Sequence, residues 1–196
     1  MPAGDGSGYG GYLVQDERSL AQQAQQGDKE AFAQLYESHF DRIYRYVMLR
    51  LGDKAEAEDM TQQVFLKAYE SVRSFKWKGI PFSAWLFRIA HNLVVDHLRR
   101  QRRRPSVSLE EALPVSDSDP QREAERRVDI ERVVSATKQL TGLQREVISL
   151  RFAGGLSVAE VARVLGKSEG AVKALQHSAI VALRRAMIAG EDSEPR

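Results

Sequence analysis

The stretch FSAWLFRIAHNLVVDHLRRQRRRP, Phe82 to Pro105, carries side chains suited to nucleic acid on one side of an otherwise apolar helix. Wound at about 100° per residue, Trp85, Arg88, Asn92, Asp96, Arg99 and Arg103 fall on a single stripe. A ring can stack, an amide can bond a base edge, and cations suit phosphate oxygens. Just upstream, in RSFKWKGIPF, the aromatics Phe75, Trp77 and Phe82 interleave with Arg73, Lys76 and Lys78. Duplex DNA hides the faces of its bases, whereas unpaired bases offer them, at about 1–3 kcal/mol per stacked ring. The loop therefore points to single strands. A plainer reading puts Phe82 and Trp85 in the core, so Trp77 and its flanking lysines carry more of the inference.

A second constellation lies in LSVAEVARVLGKSEGAVKALQHSAIVALRR. Ser157 with Glu160 has the form of a capping box, and Val158, Val161, Ala162 and Leu165 give the helix that follows a buried side. Gly166 turns the chain and Ser168 caps another helix, in which Ala171, Val172, Leu175, Ala179 and Leu183 are placed to pack back on the first. Two short helices joined by a glycine turn meet the requirements of a helix-turn-helix, whose second helix enters the DNA major groove. Glu169, Lys173, Gln176 and His177 would then face outward near its start, with Arg184 and Arg185 available to phosphate farther along. The alternative is an ordinary helical hairpin with a solvated polar face.

A third feature sits on the helix expected from Asp53 to Val72. Its core stripe is Ala57, Met60, Val64, Phe65, Ala68 and Val72, while Glu58, Asp59, Gln62, Gln63, Leu66 and Glu70 occupy the other side. An apolar Leu66 inside a polar rim has the make-up of a protein docking patch.

Chemistry of the catalytic kind finds little support. The chain has no cysteine, which excludes disulfides, Cys-based zinc sites and thiol catalysis. His39, His91, His97 and His177 are scattered, and no Walker-type glycine loop occurs, so no enzyme activity and no cofactor are expected. Glu58 and Asp59 would make a poor metal pair, because neighbours on a helix point about 100° apart.

The elements that must position these residues are helices. The 196-residue chain nearly balances 29 basic against 27 acidic residues, so the distribution of charge says more than its sum. Arginines crowd Arg99 to Arg104, and acids gather at Glu110 to Asp119. Strand patterns are weak. No segment approaches the ~20 apolar residues of a membrane span and no secretory signal is evident, so membrane insertion is not expected and the cytoplasm is the default location. The expected fold is all-α: two small helical domains joined by a flexible linker, the C-terminal one carrying the helix-turn-helix. Residues 1–19 are expected to be disordered for their glycine content, the first domain to span 20–104, the Pro-, Ser- and acid-rich linker 105–120, the second domain 121–187, and a frayed tail 188–196.

AEAEDMTQQVFLKAYESV, FSAWLFRIAHNLVVDHLRRQRRRPS and LTGLQREVISLRFAGGLSVAEVARVLGKSEGAVKALQ together resemble the two domains of an extracytoplasmic-function sigma factor of the sigma-70 family. The resemblance runs from about Leu20 to Met187. It implies a subunit of bacterial RNA polymerase whose first domain recognises and opens the minus-10 element and whose second reads the minus-35 element. The implied partners are core RNA polymerase, through its clamp and flap regions, and promoter DNA, duplex and single-stranded, with an anti-sigma factor as a further one. The implied clamp contact falls on Asp59, Gln62, Gln63 and Leu66. Minus-10 contacts fall on Lys76, Trp77, Lys78, Arg88, Asn92, Asp96, Arg99 and Arg103, with Ser74 to Pro81 as the base-capturing loop. Minus-35 contacts fall on Ser168, Glu169, Lys173, Ala174, Gln176, His177, Ser178 and Arg184. Two positions depart from the family's habit, since Ser178 stands where arginine is frequent and Gln63 where glutamate is. A stand-alone helix-turn-helix regulator binding duplex operator DNA is the alternative, and it leaves the aromatic loop and the Leu66 patch without a use.

Overall fold

The computed structural model describes residues 8–75, 80–103, 136–137 and 139–191, and every regular element among them is helical. The linker expected at 105–120 lies outside the described residues, as do Lys76, Trp77 and Lys78. A first block contains α1 (Gly8–Gln25), α2 (Lys29–Leu51), α3 (Lys54–Ser71), a 3-10 turn (Val72–Ser74) and α4 (Phe82–Gln101). A second contains α5 (Gly142–Ile148), a π-helical turn (Ser149–Ala153), α6 (Val158–Leu165) and α7 (Glu169–Glu191).

Local chemistry sets the helix ends. The Asp28 carboxylate accepts from the backbone N–H of Glu30 and Ala31 at 2.9 and 3.2 Å, satisfying donors that the first turn of α2 leaves open. Gly52 ends α2 in the left-handed region at φ 79°, a conformation that a β-carbon would strain. Asp53 then caps α3 by accepting from Glu56 N–H at 2.7 Å. In the second block the Ser157 and Glu160 capping box is complete in both directions, and Gly166 turns the chain at φ 62°. Ser168 Oγ accepts from Ala171 N–H at 3.2 Å to start α7.

Amphipathic faces do the packing. The stripe of α3 is buried throughout, from Ala57 to Val72, and Leu35, Ile43 and Val47 of α2 lie against it in one core. In α4, Phe82, Leu86 and Ala90 are buried as the pattern predicts, with Ile89 and Leu93 packed at the margin. Phe87 and Val94 are buried as well, so α4 is covered on two sides. The second cover is the other block: Val147, Leu150, Leu156 and Val161 join the same continuous core. Each fully buried Leu or Phe contributes about 1.5–3 kcal/mol.

Three expectations are corrected. Helix α1 begins at Gly8, inside the stretch expected to be disordered to residue 19, because Ala21 and Ala24 pack tightly and Glu17 is anchored to the first block. Helix α7 runs to Glu191, past the expected end at 187, as its alanine-rich sequence favours continued helix. Ala171 is exposed and does not pack back on α6.

Candidate nucleic-acid and protein interfaces

The outer stripe of α4 is open to solvent at Arg88, Asn92, Asp96, Arg99 and Arg103. Burial of the other faces holds the helix, so the stripe is presented from a rigid base. Asp96 Oδ1 lies 3.0 Å from Arg99 Nη2, steadying that guanidinium without burying it. Trp85, at the head of the stripe, is half-buried, with its ring centroid 4.9 Å from Phe75 and 5.2 Å from Phe82. Phe75 and Phe82 are themselves buried, so both belong to the core rather than to a stacking surface. Beside them lies a cavity of about 140 Å³ walled by Phe75, Ile80, Trp85 and Arg88 from the first block and by Arg163 and Val164 from the second. A larger groove of about 580 Å³ opens at the other end of α4, where Arg99, Arg102 and Arg103 face Arg50 and Leu143.

At the start of α7, Ser168, Glu169, Lys173, Ala174, His177 and Ser178 are exposed, as is Arg184 farther along. Gln176 departs from the expected outward set. Its side chain is half-buried and its Oε1 accepts from Arg151 Nε at 3.0 Å. Ser178 Oγ accepts from Gln144 Nε2 at 3.1 Å and donates to the Leu175 carbonyl at 3.1 Å, so its hydroxyl is occupied within the fold.

On α3, Asp59, Gln62 and Gln63 are exposed and surround a Leu66 that is 60% exposed. Sequence reasoning missed two neighbours of this patch. Tyr69 is 46% exposed with its ring 5.0 Å from Phe32, and Tyr36 packs 4.6 Å from Phe65. Aromatics at helical spacing look like core, and only the packing shows that these two sit at its edge.

Also missed is a buried ionic cluster between the blocks. Glu146 of α5, 3% exposed at its side chain, lies 2.9 Å from Arg50 Nη2 and 3.0 Å from His91 Nδ1, and Tyr46 Oη donates to it at 2.6 Å. Burial pushes the carboxyl's pKa upward, but the His91 imidazole, the Arg50 charge and the Tyr46 hydroxyl outweigh it and hold Glu146 below the ordinary carboxylate range. Tyr46 is raised well above a normal phenol by burial and by the Glu146 charge, so it stays a donor. No group of three or more potential metal ligands occurs among the described residues.

The chain matches the family model for sigma-70 region 2 over residues 35–104 and that for sigma-70 region 4 over residues 136–185. It is 41% identical over 168 residues to the ECF RNA polymerase sigma factor BldN of Streptomyces coelicolor, covering 85% of this chain and 64% of that relative's length. It is 33% identical over 150 residues to the ECF RNA polymerase sigma factor SigL of Mycobacterium tuberculosis, covering 76% of this chain and 85% of that one. Among solved structures, CnrH in complex with the cytosolic domain of CnrY shares 28% identity at a TM-score of 0.70, covering 89% of this chain and 98% of CnrH.

Proposed function

The chain belongs to the extracytoplasmic-function RNA polymerase sigma factors of the sigma-70 family, and on that premise we propose a division of labour among its three surfaces. The α3 patch of Asp59, Gln62, Gln63 and Leu66, widened by Tyr69, docks on the polymerase clamp. Exposed Phe152 and Leu143 of the second block suit the apolar part of a flap contact. The α4 stripe, with Lys76, Trp77 and Lys78, meets the minus-10 element as it melts: Asn92 reads a base edge, while Arg88, Arg99 and Arg103 hold phosphates. The start of α7 reads the minus-35 element through Lys173 and His177, with Ser168, Glu169, Ala174 and Ser178 along the same face and Arg184 on the backbone. Gln176, held by Arg151, acts as a support.

The observation that carries this reading is α4 itself. A helix buried on two sides leaves one stripe to solvent, and that stripe holds an amide and cations beside a ring-lined cavity. We assign the protein no catalysis of its own and the cytoplasm as its place of action; no described helix is long and apolar enough to cross a membrane. CnrH was solved with the cytosolic domain of CnrY, and we assign this chain a restraining partner of the anti-sigma kind. Reconstitution with core RNA polymerase, followed by run-off transcription on a genomic fragment library, tests the function and yields its promoters. Discrete transcripts that require the chain support it; none, with polymerase shown active on a control promoter, overturns it.

A further inference from the structure

The groove of about 580 Å³ at the far end of α4 is lined by the guanidiniums of Arg50, Arg99, Arg102 and Arg103 and by His91. Its apolar lining is Val95 and Leu98 of α4 with Leu143 of α5, which is 49% exposed. Anions are scarce there. Glu146, the carboxylate of the lining, is 3% exposed at its side chain and is already engaged by Tyr46, Arg50 and His91. Asp96 pairs with Arg99, and among the described residues neither Arg102 nor Arg103 has a carboxylate within ion-pair distance. Arg50, 6% exposed at its side chain, gives one Nη to Glu146, while its Nε finds no hydrogen-bond partner among the described residues. The cations stand close enough to act on one another: burial, then repulsion from Arg50 and Arg102, holds the pKa of neighbouring Arg145 below its ordinary value. Crowded cations in a recess repel, and a multivalent anion relieves that repulsion.

We propose that this groove binds a free nucleoside polyphosphate, with its phosphates on Arg99, Arg102 and Arg103 and its base against Leu143, Val95 and Leu98. Guanidinium forks take phosphate oxygens in pairs, and three of them in one recess suit two or more phosphates rather than one. The volume lies within the roughly 300–1,000 Å³ of small-molecule pockets. The apolar lining separates a nucleotide from a bare phosphate chain, which has nothing to set against Leu143. It also separates a nucleotide from duplex DNA, whose base faces are hidden in the stack. Gly142 borders the groove, and a β-carbon there would meet nothing within 4 Å, so a larger side chain can enter that space without displacing the fold. Arg99 and Arg103 are shared with the minus-10 surface proposed above. Arg102 and Gly142 have no part in it, so the groove can be tested apart from that reading.

The test is an anisotropy titration of the fluorescent nucleotide mant-ATP with the full chain, at about 0.15 M salt so that loose surface attraction is screened. Binding should saturate at one nucleotide per chain. ATP should displace the probe at lower concentration than inorganic tripolyphosphate, and adenosine should need far more than either. Arg102→Ala and Gly142→Glu should each weaken mant-ATP binding by about tenfold or more. Leu143→Ala should bring ATP down to the level of tripolyphosphate, whereas Arg88→Ala, at the other end of α4, should leave the affinity alone. Absence of saturable binding overturns the proposal. So does tripolyphosphate that competes as well as ATP against the parent chain, since the groove would then be a patch for any polyanion. A loss with Arg88→Ala equal to that with Arg102→Ala overturns it too, because the charge would be diffuse. A short labelled single-stranded DNA provides the last arm: if Leu143→Ala weakens it in parallel with mant-ATP, the groove is a path for a strand and not a nucleotide site. Arg102 is exposed, so its variant decides should Gly142→Glu lose helical circular dichroism. Failure of run-off transcription would sink the functional reading and leave this binding result standing.

Discussion

Truncating Leu66 should separate partner binding from folding, and its magnitude follows from its exposure. Burying a whole leucine side chain contributes about 1.5–3 kcal/mol, and Leu66 is 60% exposed in the free chain. Covering that remainder on the clamp contributes about 1–2 kcal/mol, so Leu66→Ala should weaken core polymerase binding roughly five- to thirtyfold. Stability should fall by less, because under half of the side chain is buried on folding. Val64, two residues away on the opposite side of α3 and 0% exposed, provides the mirror image. Val64→Ala should cost about 2 kcal/mol of folding stability and leave the affinity of the folded fraction unchanged. Competition binding against a labelled sigma factor measures the first quantity and urea denaturation the second. If Leu66→Ala binds core polymerase like the parent chain, the assignment of the α3 patch is wrong.

Asn92→Ala should impair opening of a duplex promoter while a template with a pre-melted bubble restores activity only in part, since reading of the unpaired base is still lost; full rescue would reduce Asn92 to an aid to melting. Lys173→Ala and His177→Ala should lower transcription from promoters with an intact minus-35 element by the equivalent of about 1–3 kcal/mol, and far less where that element is scrambled. Equal losses on both templates would mean phosphate contact instead. Because the pKa of Glu146 in the folded chain is depressed, its contribution to the stability of the packed blocks is complete above the ordinary carboxylate range and is lost as pH falls through the folded value. Acidification below about pH 4.3 should therefore lower the stability measured by urea denaturation, and a Glu146→Gln chain should lose less stability over the same range. The groups facing Glu146 are Tyr46, Arg50 and His91.

Helix ends and inner faces were legible because their causes are local. Asp28, Asp53, Ser157 and Ser168 cap where side-chain chemistry says they should, and the α3 stripe from Ala57 to Val72 is buried as a period of 3.6 requires. What escaped depends on neighbours distant in sequence. Phe87 lies against Gly154 of the second block, and Glu146 meets a Tyr46 that is 100 residues away. Glycine content hid α1, whose docking relies on small alanines and on Glu17 accepting from Ser83 N–H at 2.9 Å. Gln176 looked like a base reader because helical geometry turns it outward; Arg151, on the π-helical turn, claims its amide oxygen. The solvent-facing residues of α4 were legible as a stripe, whereas the wall that Arg163 and Val164 add to its cavity was not.

The central claim is that this chain confers promoter opening on core RNA polymerase. Permanganate reactivity of thymines across a promoter recovered from the genomic library tests it most directly, with core alone, chain alone and the two together. The account predicts a reactive bubble at the minus-10 element only when both are present, and its loss when Arg88 and Asn92 are replaced by alanine. Tight binding of the duplex by the chain alone, with no bubble when polymerase is added, would contradict it and leave a duplex-binding regulator in its place.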